Sequence, residues 1–317
     1  MARKLRNELT WSVSRDRLFQ SCERAYYYHY YGSWGGWEAD TSAATRKLYI
    51  LKNICTMEMW AGSIVHETIA ESLERYARRS TPIRTADLQA RARQKLRRGW
   101  KEAVNRDWQH SPKKTNLHGL YYGNGRTLPR HRTERVRDRV YGCLQAFADA
   151  EILREIQATP YLNWKPVDKL DWFLVDGLKV WCAVDFAFVD PAGNLRILDW
   201  KTGREDAEAL KTQLACYAFF AGEKWFTKPE EIRVSGVFLR ENARVAEYDL
   251  SPDAMIDARD RILTSAATMR EKLSDVARNE AAEDDFAFCE NERTCVRCNF
   301  REVCPRIPGD GRNGQQT

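Results

Sequence analysis

The stretch from Val184 to Lys201 constrains this 317-residue chain more than any other. It reads as two apolar strands joined by Pro191-Ala192-Gly193, a tight-turn sequence in which proline pre-sets one central position and glycine accepts the left-handed conformation. The reading is a β-hairpin closing around residues 190 and 194. That closure fixes the register: residue 185 lies across from residue 199. Because side chains alternate faces along a strand, Asp199 and Lys201 project to the same side as Asp185. Two carboxylates and an ammonium therefore converge at the open end of the hairpin.

Like charges facing each other on a sheet destabilise it unless a cation compensates. Hard oxygen ligands suit Mg²⁺ or Mn²⁺, and a lysine two residues on can hold or deprotonate a water beside such an ion. A D/E-x-K triplet alone carries little information, and an exposed hairpin end with an ordinary Asp-Lys pair is the plain alternative. The second aspartate across the hairpin favours the metal reading.

Asp185, followed by Asp199-Trp200-Lys201-Thr202-Gly203, resembles the PD-(D/E)xK nuclease signature in its RecB-like form, whose third motif commonly reads D-x-K-T-G. Val184 stands where the signature has proline, a position often degenerate in the family. The resemblance implies an α/β (α+β) fold, with a mixed β-sheet core of restriction-endonuclease type flanked by helices. Two further segments extend it. Gly62-Ser63-Ile64-Val65-His66, on an amphipathic helix running toward Arg79, is similar to the first RecB-like motif, G-x-x-x-H. By itself the sequence makes His66 an ordinary helix residue; the resemblance implies that it completes the metal site. Downstream, Gln213 and Tyr217 lie one turn apart on the helix expected over 206–220. This spacing matches the family's Q-x-x-x-Y helix, which implies that both side chains approach the scissile phosphate or the DNA. The resemblance thus implies His66, Asp185, Asp199 and the Trp200 backbone carbonyl as metal ligands, and Lys201, Gln213 and Tyr217 as catalytic partners.

Cysteine usage adds a second centre. Nothing in the sequence resembles a membrane span, and Met1 to Thr10 lacks the apolar core of a secretory signal, so a cytoplasmic location is expected. In a reducing compartment, Cys295-x-x-Cys298 followed by Cys304-Pro305 points to metal ligation. Two arrangements compete: Cys289, Cys295, Cys298 and Cys304 could close a local Zn²⁺ site, or Cys22 could join Cys295, Cys298 and Cys304 around a [4Fe–4S] cluster. The cluster is what resemblance implies, because Ser12-x-Ser14 through Phe19 and Cys22 is similar to the S-x-S-x-x-x-x-F-x-x-C segment of cluster-bearing RecB-like nucleases. Glu23 departs from the proline usual there. Such a cluster would clasp the two chain ends together.

The expected organisation is an N-terminal segment (1–60), the His66 helix (61–79), a mostly helical insertion (80–165), the core sheet with the Gln/Tyr helix (166–250), and a C-terminal helix with the cysteine motif (251–317). A second hairpin, Asp171 to Val175 and Leu178 to Val184 around Asp176-Gly177, should lead into the metal-bearing one. Strands near 232–239 and 244–250 should complete the mixed sheet, and a helix capped by Ser251 should run to about Arg278. The tyrosines at 26–31 read as packing or as base stacking, and residues 111–125 as a loop, either solvated or tracking phosphates. With a net charge of +6 and 36 arginines to 15 lysines, the surface suits phosphate contacts. No G-x-x-x-x-G-K-S/T loop occurs, so duplex unwinding by this chain is not expected.

The combined expectation is an Mg²⁺- or Mn²⁺-dependent DNA nuclease acting on single strands or DNA ends, similar to CRISPR-associated adaptation exonucleases and the AddB nuclease domain. Its expected setting is repair, recombination, phage defence or CRISPR adaptation, with a helicase, recombination or adaptation protein as the further partner. The alternatives are a DNA-end-binding scaffold with a decayed centre and a zinc-stabilised nucleic-acid-binding protein.

Overall fold

The structure, a computed structural model, describes residues 5–123, 127–165, 170–203 and 206–306. The chain begins with short helices α1 (Val13–Ser21) and α2 (Glu23–Tyr27), then α3 (Ala43–Lys52). Strand β1 (Ile54–Cys55) leads into the 23-residue helix α4 (Met57–Arg79). Next come α5 (Thr85–Asn105), β2 (Asn116–Leu117), α6 (His118–Tyr121), α7 (Arg130–Asp149) and α8 (Glu151–Ala158). The β-rich part follows with β3 (Asp171–Val175), β4 (Leu178–Cys182), β5 (Phe186–Val189) and β6 (Leu195–Lys201). Helix α9 (Ala207–Trp225), β7 (Ile232–Phe238), β8 (Arg244–Tyr248), α10 (Pro252–Glu271) and α11 (Glu292–Val296) complete the described elements.

Four strands form the central sheet in the order β5-β6-β7-β8, with β6 and β7 parallel and both outer pairs antiparallel. The β5–β6 pairing runs Phe186↔Leu198 to Val189↔Leu195, and the Asp190 N–H donates to the Asn194 carbonyl at 2.9 Å. Gly193 sits at φ +88°, the left-handed conformation the turn needs. This register, carried one step outward, sets Asp185 across from Asp199 as expected. The Asp176-Gly177 hairpin also forms, both turn residues having positive φ, but β3 and β4 make a separate two-stranded sheet.

Alternation along the strands divides two cores. Phe186, Phe188, Leu198 and Trp200 face a layer built by α4, α5, α7 and α8. Ala187, Leu195 and Ile197 face α9, α10 and the β3–β4 hairpin. The helices of residues 80–165 thus share one core with the His66 helix and the sheet, burying Val140, Leu144, Phe147 and Ile156 completely. Thr56 caps α4 by accepting from the Met59 N–H at 3.2 Å.

Several expected boundaries shift: β4 ends at Cys182 and not at Val184, and α9 runs on to Trp225 past Phe220. Helix α10 stops at Glu271, not near 278: beyond it Asp275 and Glu280 exchange backbone hydrogen bonds, the Asp275 carboxylate accepts from the Arg278 N–H, and Asn279 turns left-handed. Within the expected loop, Asn116 and Leu117 pair in parallel with Ile54 and Cys55, and α6 follows; Asn124 and Gly125 lie outside the described residues.

Candidate active site

Helix α4 places His66 at the end of the sheet because its apolar stripe, including Ile64, Val65, Ile69 and Leu73, is sunk in the core. Gly62, one turn earlier, allows the close approach. A Cβ there would stand 3.1 Å from the Thr202 hydroxyl, so a larger residue would require that side chain to shift by a few tenths of an ångström. His66 Nδ1 then lies 3.1 Å from Asp185 Oδ1, while Asp185 Oδ2 accepts from the Trp200 N–H at 2.8 Å. One carboxylate therefore ties helix, β5 end and β6 end together.

Asp199 is enclosed from the other side. Its Oδ1 accepts from the Gln213 amide at 2.9 Å and from the Tyr217 hydroxyl at 3.0 Å. Lys201 Nζ stands 2.6 Å from Asp199 Oδ2 and donates to Gln213 Oε1 at 2.8 Å. The Gln213 side chain also donates to the Tyr217 hydroxyl at 2.8 Å, so its orientation follows from its partners: the ammonium can only donate and the carboxylate only accept. Gln213 and Tyr217 are thus on the same helical face and turn toward Asp199, with Tyr217 only 2% exposed.

The electrostatics are those of crowded acids. Burial, and then the Asp185 charge, push the Asp199 carboxyl from 3.8 up to about 6, even with Lys201 beside it. Burial works against protonation of His66, but the Asp185 carboxylate outweighs it and the imidazole is held above its ordinary value. Burial and the neighbouring Asp199 drive the Tyr217 phenol far upward, so it acts as a donor. Asp199 Oδ2 is buried and receives no hydrogen bond in proper geometry; the lysine contact is an ion pair alone.

That donor set has the chemistry of a hard divalent cation site: two carboxylates close together, the charge of Asp185 raising the proton affinity of Asp199, one of whose oxygens is orphaned, and an imidazole. The side chains are not pre-arranged as a cage. Among the described residues, no three His, Cys, Asp or Glu groups stand in metal-binding geometry, because Asp185 is engaged by His66 and Asp199 by the Lys-Gln-Tyr network.

Sequence reasoning missed Arg139. Projecting from α7, its guanidinium directs Nε, at 3.1 Å, and Nη2 onto the Thr202 carbonyl, just past the D-x-K triplet. Only the packing of α7 against the sheet reveals this contact. Other basic groups of the middle segment are likewise spent internally: Lys95 bonds Glu67 and Glu71, and Lys114 bonds Glu102.

The five cysteines of the second expected centre border one cavity, with no three of them in metal-binding geometry among the described residues. Cys22 occupies the break between α1 and α2, its sulfur accepting from the Ala25 N–H at 3.4 Å. Cys22, Cys289, Cys295, Cys298 and Cys304 line one cavity of about 530 Å³ as free thiols. Burial and the neighbouring thiols push Cys298 up to about 11, and Cys295 and Cys304 are raised as well. The chain ends are also joined without these sulfurs: Arg24 donates to the Phe286 carbonyl and pairs with Glu283, which also accepts from the Tyr28 hydroxyl.

Comparison with known protein families gives a match over most of the chain. The family model of the PD-(D/E)XK nuclease superfamily covers residues 10–305, running through the middle helices that the motif resemblance left out. A search of curated proteins found no match. No described helix is long and apolar enough to cross a membrane.

Proposed function

The chain belongs to the PD-(D/E)XK nuclease superfamily, and on that premise we propose that it is a divalent-metal-dependent DNA nuclease hydrolysing phosphodiester bonds at the open end of the β5–β6 hairpin. The observation that carries this reading is the closed network joining Asp199, Lys201, Gln213 and Tyr217 beside the His66–Asp185 pair. A decayed centre has no reason to keep a buried acid charged next to another acid, an arrangement that costs stability.

His66, Asp185, Asp199 and the Trp200 carbonyl would hold the ion, which when bound supplies Lewis-acid polarisation of the phosphate and a more acidic attacking water. The remaining chemistry belongs to the chain. Lys201 donates one hydrogen bond to Gln213 and pairs in charge with Asp199, which leaves the ammonium an N–H to orient a water or a phosphate oxygen. Gln213 and Tyr217 are positioning residues: they fix the Asp199 carboxylate so that one oxygen stays directed away from them. Arg139 holds the Thr202 carbonyl and with it the loop that follows the lysine. Cys22, Cys295, Cys298 and Cys304 would hold a [4Fe–4S] cluster of structural role once drawn together, a reading that their shared cavity supports; Zn²⁺ on Cys289, Cys295, Cys298 and Cys304 is the competing occupant.

The test is digestion of end-labelled single- and double-stranded DNA by anaerobically handled protein with Mg²⁺ or Mn²⁺. Cleavage should disappear in Lys201→Ala, by at least ~100-fold, while DNA binding persists. Undiminished cleavage in that variant refutes the assignment. A cluster protein is brown with visible absorbance, whereas the zinc form is colourless.

A further inference from the structure

Two clefts meet at Asp185. One, of about 520 Å³, is lined by Gly62, His66, Glu67 and Trp200; the other, of about 900 Å³, runs from Asp185 and Ala70 to Tyr161, Leu162, Trp164 and Trp225. Both include Ala70 and Asp185, so together they form a path across the candidate centre. The second cleft ends on two large side chains left mostly in water, Tyr161 meeting Trp164 edge-on at 5.8 Å. Leu162 is 94% exposed and Tyr161 60% exposed, on a single 3₁₀ turn (Tyr161–Asn163). Large apolar groups left in water next to a reactive centre mark a surface awaiting an apolar ligand.

This turn is fastened. Trp164 bridges to Phe188 on the free edge of β5, and the Lys165 N–H donates to the Ala187 carbonyl at 3.0 Å. The Trp164 ring lies 6.2 Å from Tyr76 of α4 at 17°, in stacked geometry, and edge-on to Phe186 at 4.9 Å. The platform is therefore anchored both to the helix that bears His66 and to the strand that follows Asp185. Lys165 and Lys224 flank the cleft against Glu74, Asp171 and Asp185 on its walls, so its lining offers no excess of positive charge and its distinguishing chemistry is aromatic and apolar.

We propose that Tyr161 and Leu162 form a base-stacking platform for single-stranded DNA, receiving the unpaired bases next to the phosphate that lies over Asp185. This rests on the nuclease reading and names its substrate class. Every base offers a π-face, so such a platform binds without sequence preference, and it requires bases free of a partner strand. A duplex has no unpaired base to offer and would bind through its phosphates alone.

The experiment measures binding by fluorescence anisotropy in EDTA, using the full chain and two oligonucleotides of equal length. One is an ordinary single strand; the other has a tetrahydrofuran backbone that keeps every phosphate and removes every base. The wild type should prefer the intact strand by about tenfold or more, and Tyr161→Ala combined with Leu162→Ala should remove most of that preference while leaving affinity for the base-free strand unchanged. Both residues are exposed, so an unchanged thermal melt verifies that the variant is folded. The proposal is overturned if the wild type binds both strands alike, or if the variant keeps the full preference. Cleavage assayed in parallel separates the two ideas: stacking without cleavage sinks the nuclease reading alone, and cleavage without stacking sinks the platform alone.

Discussion

Replacing Asp199 by Asn should stabilise the metal-free protein while destroying its activity. Asp199 is 1% exposed, and burial together with Asp185 lifts its carboxyl from 3.8 to about 6. A raised acid pKa means that the folded state holds the proton more tightly than the unfolded chain does, so ionisation above that range costs folding free energy. At about 1.4 kcal/mol per tenfold change in proton affinity, the cost at pH 7 is ~3 kcal/mol. Asparagine is the neutral isostere: its oxygen can still accept from Gln213 and Tyr217, and Lys201, 27% exposed, can draw back from the amide NH2 that replaces Oδ2 while keeping its bond to Gln213. The assay is urea unfolding followed by circular dichroism in EDTA. Asp199→Asn should gain up to about 3 kcal/mol at pH 7 and less than about 1 kcal/mol at pH 4, where the wild-type group is protonated in the fold. Added Mn²⁺ should stabilise the wild type and not the variant. An unchanged or lowered stability at pH 7, or a gain independent of pH, refutes this account of the buried acid.

Other perturbations follow from particular contacts. Arg139→Ala removes the charged donor from the Thr202 carbonyl and should lower kcat about tenfold with KM little changed; Arg139→Lys should recover part of the loss, and equal kcat in all three proteins would contradict the role. Glu102 accepts from Lys114 Nζ at 2.7 Å and from the Thr115 N–H and hydroxyl, so Glu102→Ala should cost about 2 kcal/mol in a urea melt at pH 7. Burial opposes the Glu102 charge, but those bonds outweigh it and hold the carboxyl below its ordinary 4.5. The stability it adds is therefore present above that pH and lost as pH falls through the lowered value, and the variant should lose the difference in acid.

The hairpin was legible because its information is local: Pro191 and Gly193 set the turn, period-two alternation sets the faces, and together they fix 185 opposite 199. Gln213 and Tyr217 were legible for the same reason, helical spacing placing them on one face. What their side chains do was not, since it depends on α9 packing across β7 and the β3–β4 hairpin, which turns both toward Asp199 instead of toward open solvent. Arg139 left no mark in the motifs because its contact spans 63 residues and arises from burial of Val140, Leu144 and Phe147 on the same helix. The separation of the two hairpins into different sheets, and the union of the middle helices with the sheet core, are likewise products of long-range packing. The cysteine spacing indicated a metal, but that Cys22 shares a cavity with the C-terminal thiols needed the fold.

Whether His66, Asp185 and Asp199 share one ion is most directly tested by pulsed electron paramagnetic resonance of the protein titrated with Mn²⁺. The account predicts one bound ion per chain with nitrogen coupling from a single imidazole. That coupling should vanish in His66→Gln, and binding should collapse in Asp185→Asn and Asp199→Asn. Mn²⁺ bound with the same affinity in both aspartate variants, or with nitrogen coupling that survives His66→Gln, would contradict it.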